Sequence, residues 1–152
     1  MFGMSNFLYG YNFELYSSLF SIAVFLSGYP ENSIPQPHVI RAPQEYFVRT
    51  SCRNIALNCK TLGNYRGGNY VFIHEKIDLN TAKGASILVH EYVHFLQIYH
   101  GMSATTCRDR INLEINAYEI QRKFLRYRDA DDIVVTWDMV QHTCAKEELN
   151  LE

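Results

Sequence analysis

The chain has 152 residues and a formal net charge of −2, and 47% of its residues are hydrophobic while 20% are charged. A chain of this length suits one domain that buries roughly two thirds of the surface exposed by its unfolded form. The high apolar content excludes a disordered chain, and the small net charge gives no electrostatic reason to expect nucleic-acid binding. We therefore expect a single globular domain over residues 1–152 with no nucleic-acid partner.

The first thirty residues are apolar enough to raise the question of a signal peptide or a membrane anchor. Glu14 interrupts the segment, no Lys or Arg occurs before Arg41, and no A-x-A-like cleavage site follows. Four aliphatic residues recur at helical spacing, namely Leu15, Leu19, Ile22 and Leu26. This pattern predicts a retained amphipathic helix packed on the core and no stable membrane span.

The middle of the chain predicts a small sheet. His38 to Ile40 form a candidate strand, and Gln44 to Cys52 form a candidate short helix. Between Leu62 and Ile77, two β-rich pieces flank the turn Arg66-Gly67-Gly68, which predicts a hairpin. The second piece, Tyr70 to Ile73, is a candidate strand for pairing with an extended substrate.

Three helices are predicted in the second half of the chain. They run from about Ala82 to Tyr99, from Asp109 to Tyr127 and from Thr136 to Leu149. Asn80 or Thr81 is suited to cap the first of these helices, and Gly101 is suited to end it.

None of the cysteines forms a C-x-x-C pair; they are Cys52, Cys59, Cys107 and Cys144. This spacing disfavours a cysteine zinc knuckle or a thioredoxin-type redox site. The even number permits two disulfides, but buried free cysteines are equally common, so the pairing and the redox compartment stay open.

The sequence His90-Glu91-Tyr92-Val93-His94 is an H-E-x-x-H motif inside a predicted helix. Histidines four residues apart lie one turn above each other on the same face, so both imidazoles can reach one metal ion. Glu91 stands where its carboxylate can act as a general base without binding the metal. The alternative is a pair of hydrogen-bonded core histidines with Glu91 paired to an arginine. The apolar neighbours indicate a buried segment, where an uncompensated charge is costly, and this favours a metal site.

A catalytic zinc site usually has three protein ligands, so a third ligand is required. His100 stands where metzincins place their third histidine, but Gln97 replaces their chain-reversing glycine. A continuous helix would turn His100 about 120° around the axis from His94. Glu114 lies twenty residues beyond His94 on the next predicted helix and is the preferred ligand. Glu119 is the fallback, although helical spacing turns it about 140° from Glu114.

The H-E-Y-V-H motif followed by E-I-N-A at residues 114–117 resembles the gluzincins, the thermolysin-like zinc metallopeptidases. More narrowly, the chain from Leu62 to Leu125 is similar to a family of small, uncharacterised bacterial and phage metallopeptidases. This similarity lies in Leu62-Gly63-x-Tyr65, Tyr70-x-Phe72-Ile73, the helix around His90 and Glu114-x-x-Ala117-Tyr118-x-x-Gln121. In many gluzincins an acidic residue after the E-x-x-A unit supports a histidine, whereas Tyr118 stands at that position here.

The resemblance implies an α+β, minimal zincin-like domain. Its small twisted sheet would pack on the H-E-x-x-H helix, beside a second helix that carries a glutamate. The resemblance also implies that His90, His94 and Glu114 bind Zn²⁺.

The favoured interpretation is a zinc-dependent hydrolase that cleaves peptide-type bonds of a peptide or protein substrate, with Glu91 as the general base. Tyr118, His142 and Arg122 are candidates for stabilising the oxyanion, and Tyr118 lies on the ligand side of its helix. The alternative is a non-catalytic zinc-binding structural or interaction protein, such as a subunit of a phage particle with an assembly partner. It is favoured by the short chain, which leaves little material for a deep substrate cleft.

Overall fold

The computed structural model describes the backbone of residues 2–30, 33–52 and 59–144, and the side chains in these ranges from Asn12 onward. Within them lie five helices and three strands, which confirms the predicted α+β class. In chain order they are α1 (Phe2–Ser27), β1 (His38–Ala42), α2 (Gln44–Thr50), β2 (Gly63–Tyr65), β3 (Tyr70–His74), α3 (Ala82–Tyr99), α4 (Cys107–Tyr127) and α5 (Trp137–Gln141).

The three strands form a mixed sheet with the order β1-β3-β2. The predicted hairpin joins β2 and β3 antiparallel, and its turn uses Gly67 and Gly68, both at positive φ. β1 pairs with β3 in parallel, with His38 opposite Tyr70. Both edges of β3 are therefore occupied, and the prediction that Tyr70 to Ile73 takes up a substrate strand is wrong. Sequence order does not reveal which strand lies in the middle of a sheet.

Helix α1 packs against α3. Four of its residues are buried in the main hydrophobic cluster: Leu19, Phe20, Ala23 and Val24. The ring of Phe20 meets the edge of Tyr92 at a centroid distance of 5.1 Å, and the Tyr92 hydroxyl donates a hydrogen bond to the carbonyl of Tyr16. The prediction of a core helix in this segment is confirmed. Among the described helices, none combines the length and the apolar character needed to cross a membrane.

Helix α3 lies between the sheet, α1 and α4, and most of its residues are buried. Thr81 caps it, because its hydroxyl accepts a hydrogen bond from the backbone N–H of Gly84. At the other end, Gly101 has a φ of 78° and ends the helical course, as predicted. The burial of α3 places His90 and Glu91 in the interior of the protein.

Helix α4 packs along α3. It begins two residues earlier than predicted, because Thr106 and Asp109 form a capping box. The small Ala117 is completely buried and belongs to the main hydrophobic cluster. The face of α4 that carries Glu114 and Ala117 is therefore turned into the protein.

Helix α5 is shorter than predicted, since it ends at Gln141 and not near Leu149. The His142 side chain donates a hydrogen bond to the Met139 carbonyl, and the Thr143 hydroxyl donates one to the Val140 carbonyl. The Cys144 N–H donates to the Gln141 carbonyl in a tight turn. These contacts compete with the bonds of a continued helix. The remainder of the predicted helix, residues 145–149, lies outside the described residues.

Two disulfides, Cys52–Cys59 and Cys107–Cys144, pair the cysteines whose state the sequence left open. The second bridge ties the segment after α5 to the first turn of α4. Such bridges persist mainly in oxidising compartments.

Candidate metal centre

His90, His94 and Glu114 meet at one point between α3 and α4. One ligand atom from each residue lies within 4.8 Å of the other two. His90 Nε2 lies 3.3 Å from Glu114 Oε1 and 3.1 Å from His94 Nε2, and His94 Nε2 contacts the same carboxylate oxygen. This group could hold a metal ion.

Consecutive turns of α3 supply the two histidines, while α4 supplies the carboxylate. The i, i+4 spacing places both imidazoles on the face that α3 turns toward α4. Glu114 stands three residues before the buried Ala117, so its carboxylate enters the space between the helices. The contact therefore depends on the packing of two helices that are separated along the chain.

The two other ligand candidates lie elsewhere. His100 forms the C-cap of α3, where its Nδ1 donates to the Leu96 carbonyl at 2.7 Å and its ring stacks on Tyr29 at a centroid distance of 3.8 Å. Glu119 is exposed on α4. Neither residue belongs to the group formed by His90, His94 and Glu114.

Two buried glutamines contact Nδ1 of His90 and His94, the ring nitrogen that faces away from Glu114. His90 Nδ1 lies 3.0 Å from Gln121 Oε1, and His94 Nδ1 lies 2.9 Å from Gln97 Oε1. This role was not predicted from the sequence, although the spacing of the glutamines carried a signal. Gln97 follows His94 by three residues and Gln121 follows Glu114 by seven, so each pair shares a helix face.

Glu114 and His94 stabilise each other's charged forms. Burial would raise the pKa of Glu114, but hydrogen bonds from His90 and His94 hold this pKa well below its usual value. Burial opposes a charge on His94, yet the hydrogen bond and the negative charge of Glu114 raise its pKa. In the absence of a metal ion, Glu114 is thus ionised and a proton is held at His94.

Glu91 lies beside this group but is not part of it. Its side chain is buried, and burial raises the pKa of the carboxyl, while the charges of His90 and His94 act in the opposite direction. Gly63 of β2 lies against it. A Cβ built on Gly63 would stand 3.0 Å from Glu91 Cγ and 3.3 Å from Oε1, so a glycine leaves room for the carboxylate.

The three candidates for stabilising an oxyanion have different surroundings. The ring of Tyr118 lies 4.4 Å from that of His90, and burial and the charges of Glu114 and Glu91 raise the pKa of its hydroxyl. His142 is exposed after α5, and its charge lowers the pKa of Glu91. Arg122 directs its guanidinium into an exposed ion pair with Asp132. The Tyr118 hydroxyl therefore keeps its proton, and its ring contacts that of His90.

Comparison with known proteins adds no family to these observations. No protein-family model matches the chain, and no curated protein or solved structure shows significant similarity to it. The conclusion at this point is a buried His-His-Glu group that could hold a metal ion.

Proposed function

We propose that this protein is a zinc-dependent hydrolase of the gluzincin type that cleaves peptide-type bonds. The observation that carries the proposal is the meeting of His90, His94 and Glu114 beside the buried carboxylate of Glu91. Two histidines and one glutamate are the ligand set of catalytic zinc in thermolysin-type enzymes, where the fourth position is left for water or substrate.

The donor atoms fit Zn²⁺ on chemical grounds. Imidazole nitrogens suit zinc, whereas sites for magnesium and calcium consist of oxygen ligands. Two imidazole nitrogens and a carboxylate oxygen face one another at close range, as three ligands of one cation would. When bound there, Zn²⁺ would polarise the scissile carbonyl and lower the pKa of a coordinated water toward about 7.

Glu91 is suited to the role of general base. Its burial disfavours the charged form, so the carboxylate gains by accepting a proton from the attacking water. It then passes this proton to the leaving amine. The glutamate holds its position because α3 is packed on both sides and Gly63 leaves space at the carboxylate.

Tyr118 and His142 are the candidates for donating a hydrogen bond to the oxyanion. Tyr118 keeps its proton over the whole neutral range, since its pKa is raised, and its ring contacts His90. His142 lies close enough to Glu91 for its charge to lower the Glu91 pKa. It belongs to the segment that the Cys107–Cys144 disulfide ties to α4. Donors of this kind stabilise the charge that develops in the transition state.

The edge strand β2 is suited to holding an extended substrate. The Leu62 carbonyl accepts a hydrogen bond from the His74 N–H at 2.8 Å, so the antiparallel alternation directs the N–H and C=O of Gly63 away from β3. Among the described residues, β2 pairs with β3 alone. A peptide that pairs with Gly63 would bring a carbonyl close to Glu91.

Zinc binding and turnover of Glu91→Gln test the proposal. The variant should bind zinc as the wild type does, because Glu91 is not a ligand, while hydrolysis of a fluorogenic peptide mixture falls on the order of 10²- to 10⁴-fold. Glu119→Gln changes an exposed glutamate on α4 and is the matched control, with zinc binding and turnover both retained.

Two results would contradict the proposal in different ways. A wild-type protein that binds zinc but cleaves no peptide in the mixture would be a zinc-binding structural or interaction protein. A wild-type protein that binds no zinc would remove the metal itself from the proposal.

A further inference from the structure

Each histidine of the candidate metal centre has one nitrogen that faces Glu114 and one that faces a buried glutamine. We propose that Gln97 and Gln121 are positioning residues that keep a proton on Nδ1 of both histidines, so that Nε2 of each ring is the atom left to bind a cation. The two glutamines thereby set the tautomer that metal binding requires.

The hydrogen bonds of Gln97 determine the orientation of its amide. Gln97 Nε2 donates to the Leu113 carbonyl at 2.9 Å and to Asn116 Oδ1 at 3.0 Å. A main-chain carbonyl can only accept, so the amide nitrogen must face Leu113 and the amide oxygen must face His94. That oxygen also only accepts, and His94 Nδ1, at 2.9 Å, must therefore carry a proton.

A second chain of hydrogen bonds leads to the same result for His90. The Ser86 hydroxyl lies 2.7 Å from the Lys83 carbonyl, a distance at which the hydroxyl proton lies between the two oxygens. Ser86 Oγ is then an acceptor toward Gln121 Nε2 at 3.0 Å, and Gln121 Oε1 faces His90. His90 Nδ1 consequently donates its proton to Gln121.

The glutamines are buried and neutral, and both properties matter for the site. Burial keeps water from competing for Nδ1, so the rings are held before a cation binds. A neutral amide orients the imidazole as a carboxylate does but adds no negative charge beside Glu114 and Glu91. The two glutamines therefore support the histidines, although the position at which many gluzincins have a supporting acidic residue is occupied by Tyr118.

His74 and Gln44 provide an internal control with the opposite tautomer. Gln44 Nε2 donates to the Cys59 carbonyl, so Gln44 Oε1 faces His74 Nε2 at 3.0 Å and requires a proton there. His74 Nδ1 accepts the N–H of Lys76 at 3.1 Å. The same reasoning thus assigns Nε2–H to His74 and Nδ1–H to His90 and His94.

Ring ¹⁵N signals of the metal-free and zinc-loaded wild-type protein test the assignment directly. His90 and His94 should show a protonated Nδ1 in both states, and His74 should show a protonated Nε2 with an unprotonated Nδ1. An unprotonated Nδ1 on His90 or His94 would overturn the proposal. Only the requirement for a cation rests on the proposed function. If zinc fails to bind while Nδ1 stays protonated, the proposed function fails and the tautomer assignment holds.

Zinc affinity of glutamine variants tests the positioning role. Gln97→Met and Gln121→Met remove the acceptor but keep the approximate shape, and each should weaken zinc binding on the order of 10- to 100-fold. Gln44→Met removes a glutamine from a histidine outside the site and should leave zinc affinity unchanged.

Gln121→Glu separates positioning from a merely structural role. Its carboxylate can accept the His90 Nδ1 proton but cannot donate to Ser86. Zinc affinity should return at least to the wild-type level if the acceptor is what matters. An affinity as weak as that of Gln121→Met would contradict the positioning role, and so would unchanged affinity in both methionine variants.

Discussion

Removal of the Glu114 carboxylate should weaken zinc binding far more than removal of the neighbouring exposed carboxylate on the same helix. Glu114 is 4% exposed, and its Oε1 contacts Nε2 of both His90 and His94. Glu114→Ala therefore removes one of the three proposed ligands and also the negative charge that would offset a buried cation.

The size of this effect follows from the number of ligands. Structural zinc sites with four ligands bind with about 10–16 kcal/mol, which corresponds to about 2.5–4 kcal/mol for each ligand. Since 1.4 kcal/mol is a tenfold change, the loss of one ligand should weaken binding on the order of 10²- to 10³-fold.

Competition with a chromophoric zinc chelator at neutral pH measures this change. Glu119→Ala and His100→Ala are the controls, because Glu119 is exposed and His100 stacks on Tyr29. Both control variants should retain the wild-type affinity. A loss in His100→Ala as large as that in Glu114→Ala, or a Glu114→Ala protein with wild-type affinity, would refute the ligand assignment.

Three further predictions concern the surroundings of the site and its charge. Gly63→Ala should lower kcat roughly tenfold and leave zinc affinity unchanged, because the new Cβ would stand 3.0 Å from Glu91 Cγ and displace the general base. Steady-state kinetics measure this effect, and a normal kcat would contradict the prediction. Although burial lowers the pKa of His94, the hydrogen bond and charge of Glu114 raise it from the ordinary 6.5 to about 9 in the metal-free protein. The protonated His94 therefore contributes to the free energy of unfolding in full below pH 6.5, and this contribution is lost as the pH rises through about 9. The free energy of unfolding measured in urea should fall over this pH window, and His94→Gln should flatten the fall. Gly84→Ala should destabilise the fold by about 1–3 kcal/mol, since its Cβ would lie 1.9 Å from the Asp78 carbonyl oxygen; an unchanged denaturation midpoint would show that the start of α3 can shift freely.

The sequence by itself determined the local features of the site. The spacing of His90 and His94 places both on one face of a helix, and the bounds of that helix follow from its capping residue and from Gly101. The glycine turn determined the hairpin, and the apolar spacing around Leu19 determined the packing of α1. These features depend on neighbours along the chain, so a pattern of residues is enough to predict them.

Only the tertiary structure decided which distant residues meet. Glu114 and His100 were both ligand candidates in the sequence, and the packing of α4 on α3 brings Glu114 alone of the two to His90. The support from Gln97 and Gln121 depends on hydrogen bonds that cross between these helices. β3 is the central strand because β1, which is remote from it in sequence, pairs with it in parallel. In each case the deciding contact joins residues that are remote in sequence, and its geometry follows from the angle and separation at which whole elements pack.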